Sequence, residues 1–500
     1  MGWEMDWINH RARISPDSTA IVESENHARY TYNEMNERAN RLAQVFLSNG
    51  IQKGDRVALL SPNHICYFDL LFACGKIGAI FVPLNWRLAK SELSYILTDC
   101  TPALIAVHST LTSLIDTTEQ LTMIVDSSEY EYHVNRNFTS NLTKIEVTEL
   151  DPLAIIYTGG TTGKPKGVVL THQSILWNGI NTIVSWNLKS EDITLTYLPM
   201  FHTGGLNALS IPILMMGGSV IIGSQFDPRK AMDIINQEGC TIVLMVPTMY
   251  HMMINDPLFN NITFPSMHTF LSGGAPCPLE IYKAFEKKKI VFKEGYGLTE
   301  AGPNNFFMDP IHTKDKRGSV GKPMMFNQIK LINDEGRETF PDEVGELLIK
   351  GKHVFLEYWN NEEASKNAKQ NQWLYTGDLA RKDSEGFHYI VGRKKEMIIT
   401  GGENVYPLEV EQCLNQHPGV DEVAVIGITD SKWGEVVTAV LSLKETANIT
   451  TEELKQFCGR SLGGYKVPRH FIIIDSIPKT HVGKIDKNAL KEIYKYLEKN

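Results

Sequence analysis

The sequence predicts an α/β protein. Its large N-terminal body has two regions of βαβ units with parallel sheets and a small β-barrel-like region, and a small α+β C-terminal domain follows. Short apolar runs alternate with helical patterns as far as about residue 318, which indicates the parallel sheets. Short strand patterns separated by turns come next, and a compact α+β pattern begins beyond residue 392. The 500 residues are enough for two or more domains.

Each βα region is predicted from its own series of strands and helices. In the first region, strands are predicted at 55–61, 79–85 and 103–107, with helices at 63–78 and 89–100. The second region begins with a strand at 153–158 and passes through a glycine-rich loop into a helix from about Thr171. Its remaining strands are predicted at 194–198, 219–222, 241–246 and 290–293, and its helices at 228–238, 248–255 and 278–288.

The rest of the chain is predicted to hold antiparallel strands and then the α+β domain. Strands are expected at 328–333, at 345–350 and within 374–391, with turns at 333–336 and 383–386. The charged run 392–396 predicts a boundary between a body, 1–392, and a small C-terminal lid domain, 393–500. The lid is predicted to contain helices at 406–417 and 451–462, the second capped by Thr450 or Thr451, and strands at 422–429 and 436–444.

Composition and charge exclude several classes of protein. The net charge is −9, so there is no basic excess to neutralise the phosphates of a nucleic acid. The seven cysteines have neither zinc-ligand nor CxxC spacing, and such a sparse set is typical of a reducing cytoplasm. The charged N-terminus does not look like a signal peptide. The most apolar stretch, 206–222, is interrupted by Pro212 and by Gly217–Gly218, which predicts a buried helix and a strand and not a membrane span.

The most informative segment is the glycine-rich loop at 158–166, TGGTTGKPK. Its glycines let the backbone fold tightly enough for amide groups to point at an anion, while threonine hydroxyls and two lysines add donors and charge. These groups predict a site for polyphosphate. The loop is not a Walker A sequence, because the spacing from Gly159 to Gly163 is one residue short and Pro165 stands where Ser or Thr would hold magnesium.

This loop resembles the phosphate loop of the adenylate-forming superfamily, which includes acyl-CoA synthetases, firefly luciferases and nonribosomal-peptide adenylation domains. The usual form has serine at the position of Gly159, although some fatty acyl-CoA synthetases carry the Gly-Gly form. Further segments along the chain match the superfamily in the expected order, so the resemblance covers essentially the whole chain. It implies ATP-binding roles for the loop residues Thr158, Gly159, Gly160, Thr161, Thr162, Gly163 and Lys166.

The resemblance also assigns the remaining nucleotide contacts in the body. His202, which ends the segment LPMFH, lies in the family where the carboxylate of the acid approaches ATP. In the segment EGYGLTE, Tyr296 is expected to stack on adenine, Thr299 to contact the α-phosphate and Glu300 to help hold magnesium. The other residues expected near the nucleotide are Gly273, Gly274 and Ala275 of SGGAP, and Glu294, Gly295 and Gly297.

Residues near and within the lid complete the implied site. Asp378 of the segment YTGD is expected to accept hydrogen bonds from the ribose hydroxyls, which Arg393 also reaches. Lys395 falls at the family's hinge position, and Gly401 and Gly402 resemble the loop that narrows around the pantetheine arm of CoA. Lys484 matches the catalytic lysine, and the implied catalytic set is Lys484, Thr299, Glu300 and His202.

The resemblance therefore implies an ATP-dependent, magnesium-requiring acid–CoA ligase with CoA as co-substrate. The acid attacks the α-phosphorus of ATP to give acyl-AMP and pyrophosphate, and the acyl group then passes to CoA with release of AMP. An anion approaches a tetra-anion in the first step, so cations and donors must be aimed at the phosphates. Rotation of the lid about its hinge would serve the two half-reactions in turn.

The acid is predicted to be a medium- or long-chain fatty acid. The segment 201–205 lacks the Asp that pairs with the amino group in amino-acid adenylation domains. Candidate pocket segments lie at 202–207, 247–253 and 272–276, and nearby Met245, Met249, Met252 and Met253 would suit an alkyl chain, although helix core packing explains them equally. An aryl–CoA ligase of the o-succinylbenzoate or coumarate type stays open. A stand-alone amino-acid adenylating enzyme, a luciferase-like oxygenase and a binding module are more remote alternatives.

A fatty acid substrate would favour peripheral contact with a membrane surface, and a homodimer is also left open. We expect no nucleic-acid partner, because the chain lacks a basic excess. The expected partners are therefore small molecules: the acid, ATP and CoA.

Overall fold

A computed structural model describes residues 5–116, 121–136, 145–159, 164–444, 447–480 and 485–494. The chain divides into two compact units. The first comprises Met1–Cys277, Lys283–Gln328 and Ile349–Leu374, and the second comprises Pro278–Tyr282, Ile329–Leu348 and Tyr375–Asn500. Most residues of the strands predicted at 328–333, 345–350 and 374–391 therefore fall into the second unit, together with residues 393–500. The body–lid boundary at residue 392 stays a prediction.

The largest sheet of the first unit confirms the first predicted βα region. Its strands pair in parallel except for the last pair, and its interior is a cluster of buried aliphatic side chains that includes Val82 and Ile105. The helix predicted at 63–78 lies between the strands Arg56–Leu60 and Ile80–Leu84. It ends at Gly78, whose φ of 71° is the left-handed conformation that favours glycine. The strand order is Thr122–Ile124, Leu104–Val107, Arg56–Leu60, Ile80–Leu84, Pro152–Thr158, Lys166–Thr171.

One strand of this sheet was assigned to the wrong region. The strand at 153–158 was predicted to begin the second βα region, but Pro152–Thr158 pairs in parallel with Ile80–Leu84 and belongs to this first sheet. The strand that follows it was not predicted. The glycine-rich loop does not lead directly into a helix, because Lys166–Thr171 forms a strand that pairs antiparallel with Pro152–Thr158. The side chains at 168–170 are buried, and two of them are β-branched valines, which favours a strand against the sheet. The helix His172–Trp186 begins only after this strand, with the Thr171 side chain accepting from the backbone N–H of Ser174. We call these two strands the loop hairpin.

Two smaller sheets form the second βα region. One has the order Arg29–Thr31, Thr19–Glu23, Ser219–Ile222, Ile193–Thr196, and only its first pair is antiparallel. The other is parallel throughout, in the order Ile242–Met245, Thr269–Ser272, Phe292–Glu294. The strands Thr19–Glu23, Arg29–Thr31 and Thr269–Ser272 were not among the predicted ones. A short antiparallel pair, Phe306–Phe307 with Lys322–Pro323, completes the strands of this region.

The predicted barrel-like region is a five-stranded sheet. Among the described residues, no pairing closes it into a ring. The strands Gln328–Ile332, Val344–Lys350, Trp373–Lys382 and Lys369–Gln370 follow one another in that order, and His388–Arg393 pairs antiparallel with Trp373–Lys382. The predicted turns form at 333–336 and 383–386, each with a left-handed glycine at its last position.

The C-terminal residues form the predicted α+β arrangement around one sheet. Its strand order is Glu403–Val405, Ile398–Thr400, Gly434–Leu443, Val420–Asp430, with His470–Ile473 parallel to Gly434–Leu443. Both faces of this sheet are covered, because Val423 and Val425 belong to one buried cluster and Ala424 and Ile426 to another. The predicted cap of the helix Thr451–Gly459 is confirmed as a capping box between Thr450 and Glu453.

The predicted helices form with small changes at their ends. The first two helices of the chain, at its N-terminus, were not predicted. No helix of the described residues is long and apolar enough to cross a bilayer. All seven cysteines are free thiols, and six of them are buried. The α-helices are Trp7–Ile14, Tyr32–Ser48, Cys66–Ile77, Lys90–Cys100, Ser128–Asn135, His172–Trp186, Thr203–Asn207, Ser210–Met216, Pro228–Gln237, Pro247–Asn255, Pro257–Asn261, Leu279–Lys287, Glu362–Ala368, Pro407–Leu414, Thr451–Gly459 and Lys487–Tyr494.

Candidate active site

The loop hairpin brings the two ends of the phosphate loop together. Thr158 and Lys166 lie opposite each other in its register. Gly159 is exposed, and a Cβ added there would meet nothing within 4 Å. Gly160, Thr161, Thr162 and Gly163 lie outside the described residues.

Glu300 lies on a short 3-10 turn, Thr299–Ala301, beside the loop hairpin. Its backbone carbonyl accepts a hydrogen bond from the N–H of Phe355 at 2.8 Å. Its side-chain Oε1 accepts from the Tyr358 hydroxyl at 2.8 Å. The ring of Tyr358 in turn has the Lys166 ammonium 5.2 Å from its centroid, within cation–π range. Tyr358 therefore contacts both the Glu300 carboxylate and the Lys166 ammonium.

This arrangement fits a magnesium ion that reaches the protein with its nucleotide. The described residues contain no group of three or more His, Cys, Asp or Glu side chains that could hold a metal ion. Mg²⁺ is commonly bound by one or two carboxylates together with substrate phosphates, and does not need a cage of protein ligands. The half-buried Glu300 carboxylate, which shares the contact residue Tyr358 with Lys166, fits that kind of site.

Two predicted nucleotide segments meet at one edge of the three-stranded parallel sheet. Ser272 and Glu294 are register partners at the carboxyl ends of neighbouring strands, and the N–H of Gly295 donates to the Ser272 carbonyl at 2.8 Å. Gly274, with φ of 81°, and Ala275 are exposed at this edge. Ligands of α/β proteins bind at the carboxyl ends of parallel strands, so this edge is suited to a nucleotide.

The remaining residues of these two segments have defined surroundings. Gly273 donates its N–H to the Met245 carbonyl at 3.2 Å, and the Glu294 side chain accepts from the Cys277 N–H at the same distance. The Tyr296 ring lies 5.9 Å from that of Phe306. A Cβ at Gly297 would stand 2.1 Å from the Pro303 carbonyl oxygen, so only glycine fits there. Thr299 is buried.

His202 lies in a turn that follows the parallel strand Ile193–Thr196. Asn63 holds this turn, because its Nδ2 donates to the Leu198 carbonyl at 3.0 Å and its Oδ1 accepts from the Met200 N–H at 2.9 Å. The His202 ring is half-buried and lies 4.6 Å from the ring of Phe201. The histidine is therefore presented by a fixed backbone at the carboxyl end of a strand.

In the second unit, Asp378 and Arg393 are register partners on paired strands. The Nε of Arg393 lies 2.7 Å from Oδ1 of Asp378. Lys395 lies on the 3-10 turn Lys394–Glu396, where burial and the charge of Arg393 lower the pKa of its ammonium. The structure therefore joins both residues assigned to the ribose, and it places the predicted hinge lysine two residues after Arg393.

Gly401 and Gly402 form a two-residue turn between the strands Ile398–Thr400 and Glu403–Val405. Their φ values are 60° and 87°, and a turn with two left-handed residues is the tight hairpin turn that glycine favours. The Gly401 N–H donates to the Trp433 carbonyl at 2.8 Å, and a Cβ at Gly401 would stand 2.9 Å from the Trp433 ring. Lys484 lies outside the described residues.

Sequence reasoning missed one residue of the candidate site and identified the methionines of the candidate acid pocket only in part. Tyr358 was missed, because it stands in an irregular segment between Glu357 and Trp359 and makes its contacts with residues distant in the chain. Of the four methionines considered for the acid pocket, Met245 and Met253 are fully buried. Met249 is half-buried and Met252 is 47% exposed, so these two remain as pocket candidates.

The sequence is similar to known families and to characterised proteins along most of its length. A sequence profile described as AMP-binding enzyme matches residues 8–359, and one described as AMP-binding enzyme C-terminal domain matches 409–484. The chain is 37% identical to a feruloyl-CoA synthase of Amycolatopsis sp., over 97% of this chain and 98% of that protein. It is 36% identical to the long-chain-fatty-acid–CoA ligase FadD13 of Mycobacterium tuberculosis, over 99% and 98%.

A solved structure shows a similar fold with nucleotide and metal bound. It is the o-succinylbenzoate coenzyme A synthetase (MenE) of Bacillus subtilis, in complex with ATP and a magnesium ion. The TM-score is 0.86 at 30% sequence identity, and the match covers 97% of this chain and 99% of that one.

Proposed function

The chain belongs to the AMP-binding enzyme family and is an AMP-forming acid–CoA ligase, and we propose that its acid is a medium- or long-chain fatty acid. The observation that carries the adenylation half is the contact of Tyr358 with both Glu300 and Lys166. It joins the phosphate loop to the carboxylate expected near the metal. ATP and Mg²⁺ are the cofactors, and CoA is the co-substrate.

For the adenylation step we propose that Lys166 binds the phosphates and that His202 orients the carboxylate of the acid. Glu300 would help to hold Mg²⁺, which would supply positive charge to offset part of the negative charge that the incoming carboxylate meets. Tyr296 and the segment at 272–276 hold the adenine, and Asp378 and Arg393 hold the ribose. Fixed charges and donors of this kind lower the barrier because they need no rearrangement at the moment of reaction.

For the thioester step we propose that the lid domain moves about Lys395. Lys484 would serve adenylation, and the turn at Gly401–Gly402 would serve the pantetheine arm of CoA. The support within the second unit is that turn, because neither of its two residues has a side chain. At Gly401 an added Cβ would stand 2.9 Å from the Trp433 ring. A turn without side chains leaves room for the slender, amide-containing pantetheine arm.

The choice of acid rests on the charge of the candidate pocket. The segments at 202–207, 247–253 and 272–276 contain no Asp, Glu, Lys or Arg. A buried amino group on the substrate would find no carboxylate there, and a second carboxylate would find no lysine or arginine, so burying either group is disfavoured. The pocket therefore favours an acid with one carboxylate and an apolar body. The adaptable side chains of Met249 and Met252 favour a fatty acid over a rigid ring.

An aromatic monocarboxylic acid is the second candidate. It satisfies the same charge argument, and one relative at 37% identity is a feruloyl-CoA synthase. The relatives that act on o-succinylbenzoate, by contrast, use an acid with two carboxylates, which the uncharged segments disfavour.

The proposal is tested by pyrophosphate release with ATP and Mg²⁺ across a panel of acids, with and without CoA. The panel contains saturated fatty acids of graded length, ferulate, o-succinylbenzoate and amino acids. We expect the highest kcat/KM for a fatty acid, with acyl-CoA formed only when CoA is present. A higher kcat/KM for ferulate would replace the fatty acid by the aryl acid, and activity only with amino acids would refute the pocket argument.

We further propose a cytoplasmic location, which the seven free thiols support. Peripheral membrane contact and a homodimer stay predictions that follow from a fatty acid substrate and from the resemblance. Sedimentation with phospholipid vesicles and size-exclusion chromatography test them, since a monomer that stays in the supernatant would contradict both.

A further inference from the structure

We propose that Tyr358 is a positioning residue for the adenylation step, which holds the Glu300 carboxylate and the Lys166 ammonium in place through contacts that add no opposing charge. The inference rests on the proposed roles of Glu300 and Lys166 at the ATP site. It predicts that the two ends of the Tyr358 side chain, the hydroxyl and the ring, have separable effects.

The backbone around Tyr358 is fixed against the loop hairpin. Tyr358 forms a β-bridge with Val168, and the N–H of the next residue, Trp359, donates to the Gly167 carbonyl at 2.7 Å. The Tyr358 N–H itself donates to the Ser365 hydroxyl at 2.9 Å. These bonds make Tyr358 an added partner of the strand that begins at Lys166. The backbone of Tyr358 is therefore held beside the strand that carries Lys166.

The hydroxyl end holds Glu300. It donates to Oε1 at 2.8 Å, and Glu300 is also anchored through its backbone carbonyl by the Phe355 N–H. A hydrogen bond from a neutral donor to a carboxylate is short and directional, so it fixes the rotation of the carboxylate. An arginine or lysine in the same place would do this while cancelling the negative charge. A phenol orients the carboxylate without adding a positive charge of its own.

The ring end holds Lys166. The ammonium lies 5.2 Å from the ring centroid, where the negative face of the aromatic ring attracts a cation. This contact orients the lysine without a carboxylate partner, so Tyr358 does not reduce the positive charge offered to the phosphates. One rigid side chain thus sets the position of a cation and of an anion that must act on the same ligand.

The test separates the two ends of the side chain by equilibrium ATP binding, measured by isothermal titration calorimetry without acid. Tyr358→Phe removes the hydroxyl and keeps the ring, and Tyr358→Leu removes both. The matched control is Tyr32→Phe, which removes a buried hydroxyl that donates to the Gly218 carbonyl at 2.6 Å, far along the chain from this site. ATP is titrated into each variant with EDTA and at a series of Mg²⁺ concentrations.

We expect Tyr358→Phe to raise the Mg²⁺ concentration for half-maximal enhancement of ATP binding by about five-fold, the effect of one lost hydrogen bond. Its affinity for metal-free ATP should equal that of the wild type, whereas Tyr358→Leu should also weaken metal-free ATP. Tyr32→Phe should change neither quantity. In the Glu300→Gln background, Tyr358→Phe should have no further effect on the Mg²⁺ dependence, since the two groups act as one unit.

A Mg²⁺ dependence unchanged in Tyr358→Phe, with a loss of thermal stability like that of Tyr32→Phe, would show that Tyr358 is merely structural. An additive effect in the Glu300→Gln background would also overturn the proposal. Either result leaves the ligase assignment intact, provided that the wild type binds ATP. A wild type that binds no ATP would refute the proposed ATP site itself.

Discussion

The Nε of Arg393 lies 2.7 Å from Oδ1 of Asp378, across two paired strands of the second unit. The Asp378 side chain is 6% exposed and that of Arg393 is 47% exposed, so the carboxylate is held from the solvent side by its partner. Glu300 differs from Asp378, because its Oε1 accepts a hydrogen bond from the neutral phenol of Tyr358. A carboxylate that meets sugar hydroxyls can share its charge with an arginine, whereas one that meets a cation should keep it.

The first prediction concerns this pair. Asp378→Asn keeps the shape of the side chain and removes the charge, so we expect the KM for ATP to rise about ten-fold while kcat changes much less. Ribose contacts are the same in the ground state and the transition state, and losing such uniform binding raises KM. Initial rates of pyrophosphate release measure both parameters.

The matched control for this variant is Asp342→Asn. Asp342 forms an equally short contact with Arg381 at 2.7 Å, but it is 64% exposed and has no proposed ligand. It should leave both parameters unchanged. A fall in kcat at constant KM for Asp378→Asn would contradict the ribose assignment.

Sequence periodicity predicted most of the parallel βα structure, because buried strands and amphipathic helices leave local patterns. The strand Lys166–Thr171 was missed for a local reason. The glycine-rich loop and the capped helix after it suggested a loop-to-helix transition, and the short apolar run between them was too brief to signal a strand of its own. Its pairing with Pro152–Thr158 is stabilised by burial of its side chains in the folded protein, an effect that the local sequence pattern does not show.

The motif residues of the site could be found from the sequence, whereas Tyr358 could not. Glu300 and Lys166 stand in glycine-rich segments whose composition signals backbone contact with a ligand. Tyr358 is 58 residues from Glu300 and even farther from Lys166 along the chain, and an aromatic residue in an irregular segment has no pattern that distinguishes it from core. Only the pairing of its segment with the loop hairpin reveals the contact.

The second prediction concerns the turn at Gly401–Gly402. Each Gly→Ala change places a Cβ on a left-handed residue, which costs about 1–2 kcal/mol of conformational strain. At Gly401 the new Cβ would also stand 2.9 Å from the Trp433 ring, whereas at Gly402 it would meet nothing within 4 Å. We therefore expect Gly401→Ala to slow thioester formation from acyl-AMP more than Gly402→Ala does, with adenylation spared in both.

Single-turnover measurements of the two half-reactions check this order. Gly336→Ala is the control, because Gly336 has a φ of 82° and open space around it in another turn of the second unit. It should introduce similar strain without slowing either half-reaction. Equal effects of the Gly401 and Gly336 variants would show that strain alone accounts for the loss.

The third prediction concerns Lys484, the residue that matches the family's catalytic lysine. Lys484→Ala should abolish formation of acyl-AMP but leave the transfer of the acyl group from supplied acyl-AMP to CoA. The loss of one charged contact to the transition state costs about 2.7–4 kcal/mol of barrier, or roughly a hundred- to a thousand-fold in rate. Lys479→Ala, which removes a partly exposed lysine that pairs with Glu422 at 2.7 Å, should affect neither step. An equal loss of both half-reactions would contradict the role.

The last prediction concerns a buried lysine beside the nucleotide segment. Lys293 is 5% exposed, and its ammonium lies 4.6 Å from the Phe307 ring centroid and 5.4 Å from that of Trp186. Burial lowers the pKa of Lys293 from 10.5 to about 8, with a small opposing effect of Asp309. The loss of water around the buried ammonium is the main cause of this shift.

This lowered pKa has a definite consequence for stability. Between pH 8 and pH 10.5 the unfolded chain keeps a proton on Lys293 that the folded protein has released, so the free energy of unfolding rises with pH across this window. Below pH 8 the folded protein bears the full cost of a buried charge. Lys293→Met should therefore raise the free energy of unfolding at pH 7 by up to about 3 kcal/mol, at 1.36 kcal/mol per pH unit of lowered pKa.

Urea unfolding at pH 7, 8, 9 and 10 measures this effect. The stability gained by the wild type above pH 8 should be absent from Lys293→Met, so the two proteins should converge toward pH 10. Lys283→Met replaces an exposed lysine on the helix Leu279–Lys287 and should show the wild-type pH dependence. A Lys293→Met variant less stable than the wild type at pH 7 would mean that the two aromatic rings stabilise the ammonium by more than its burial costs.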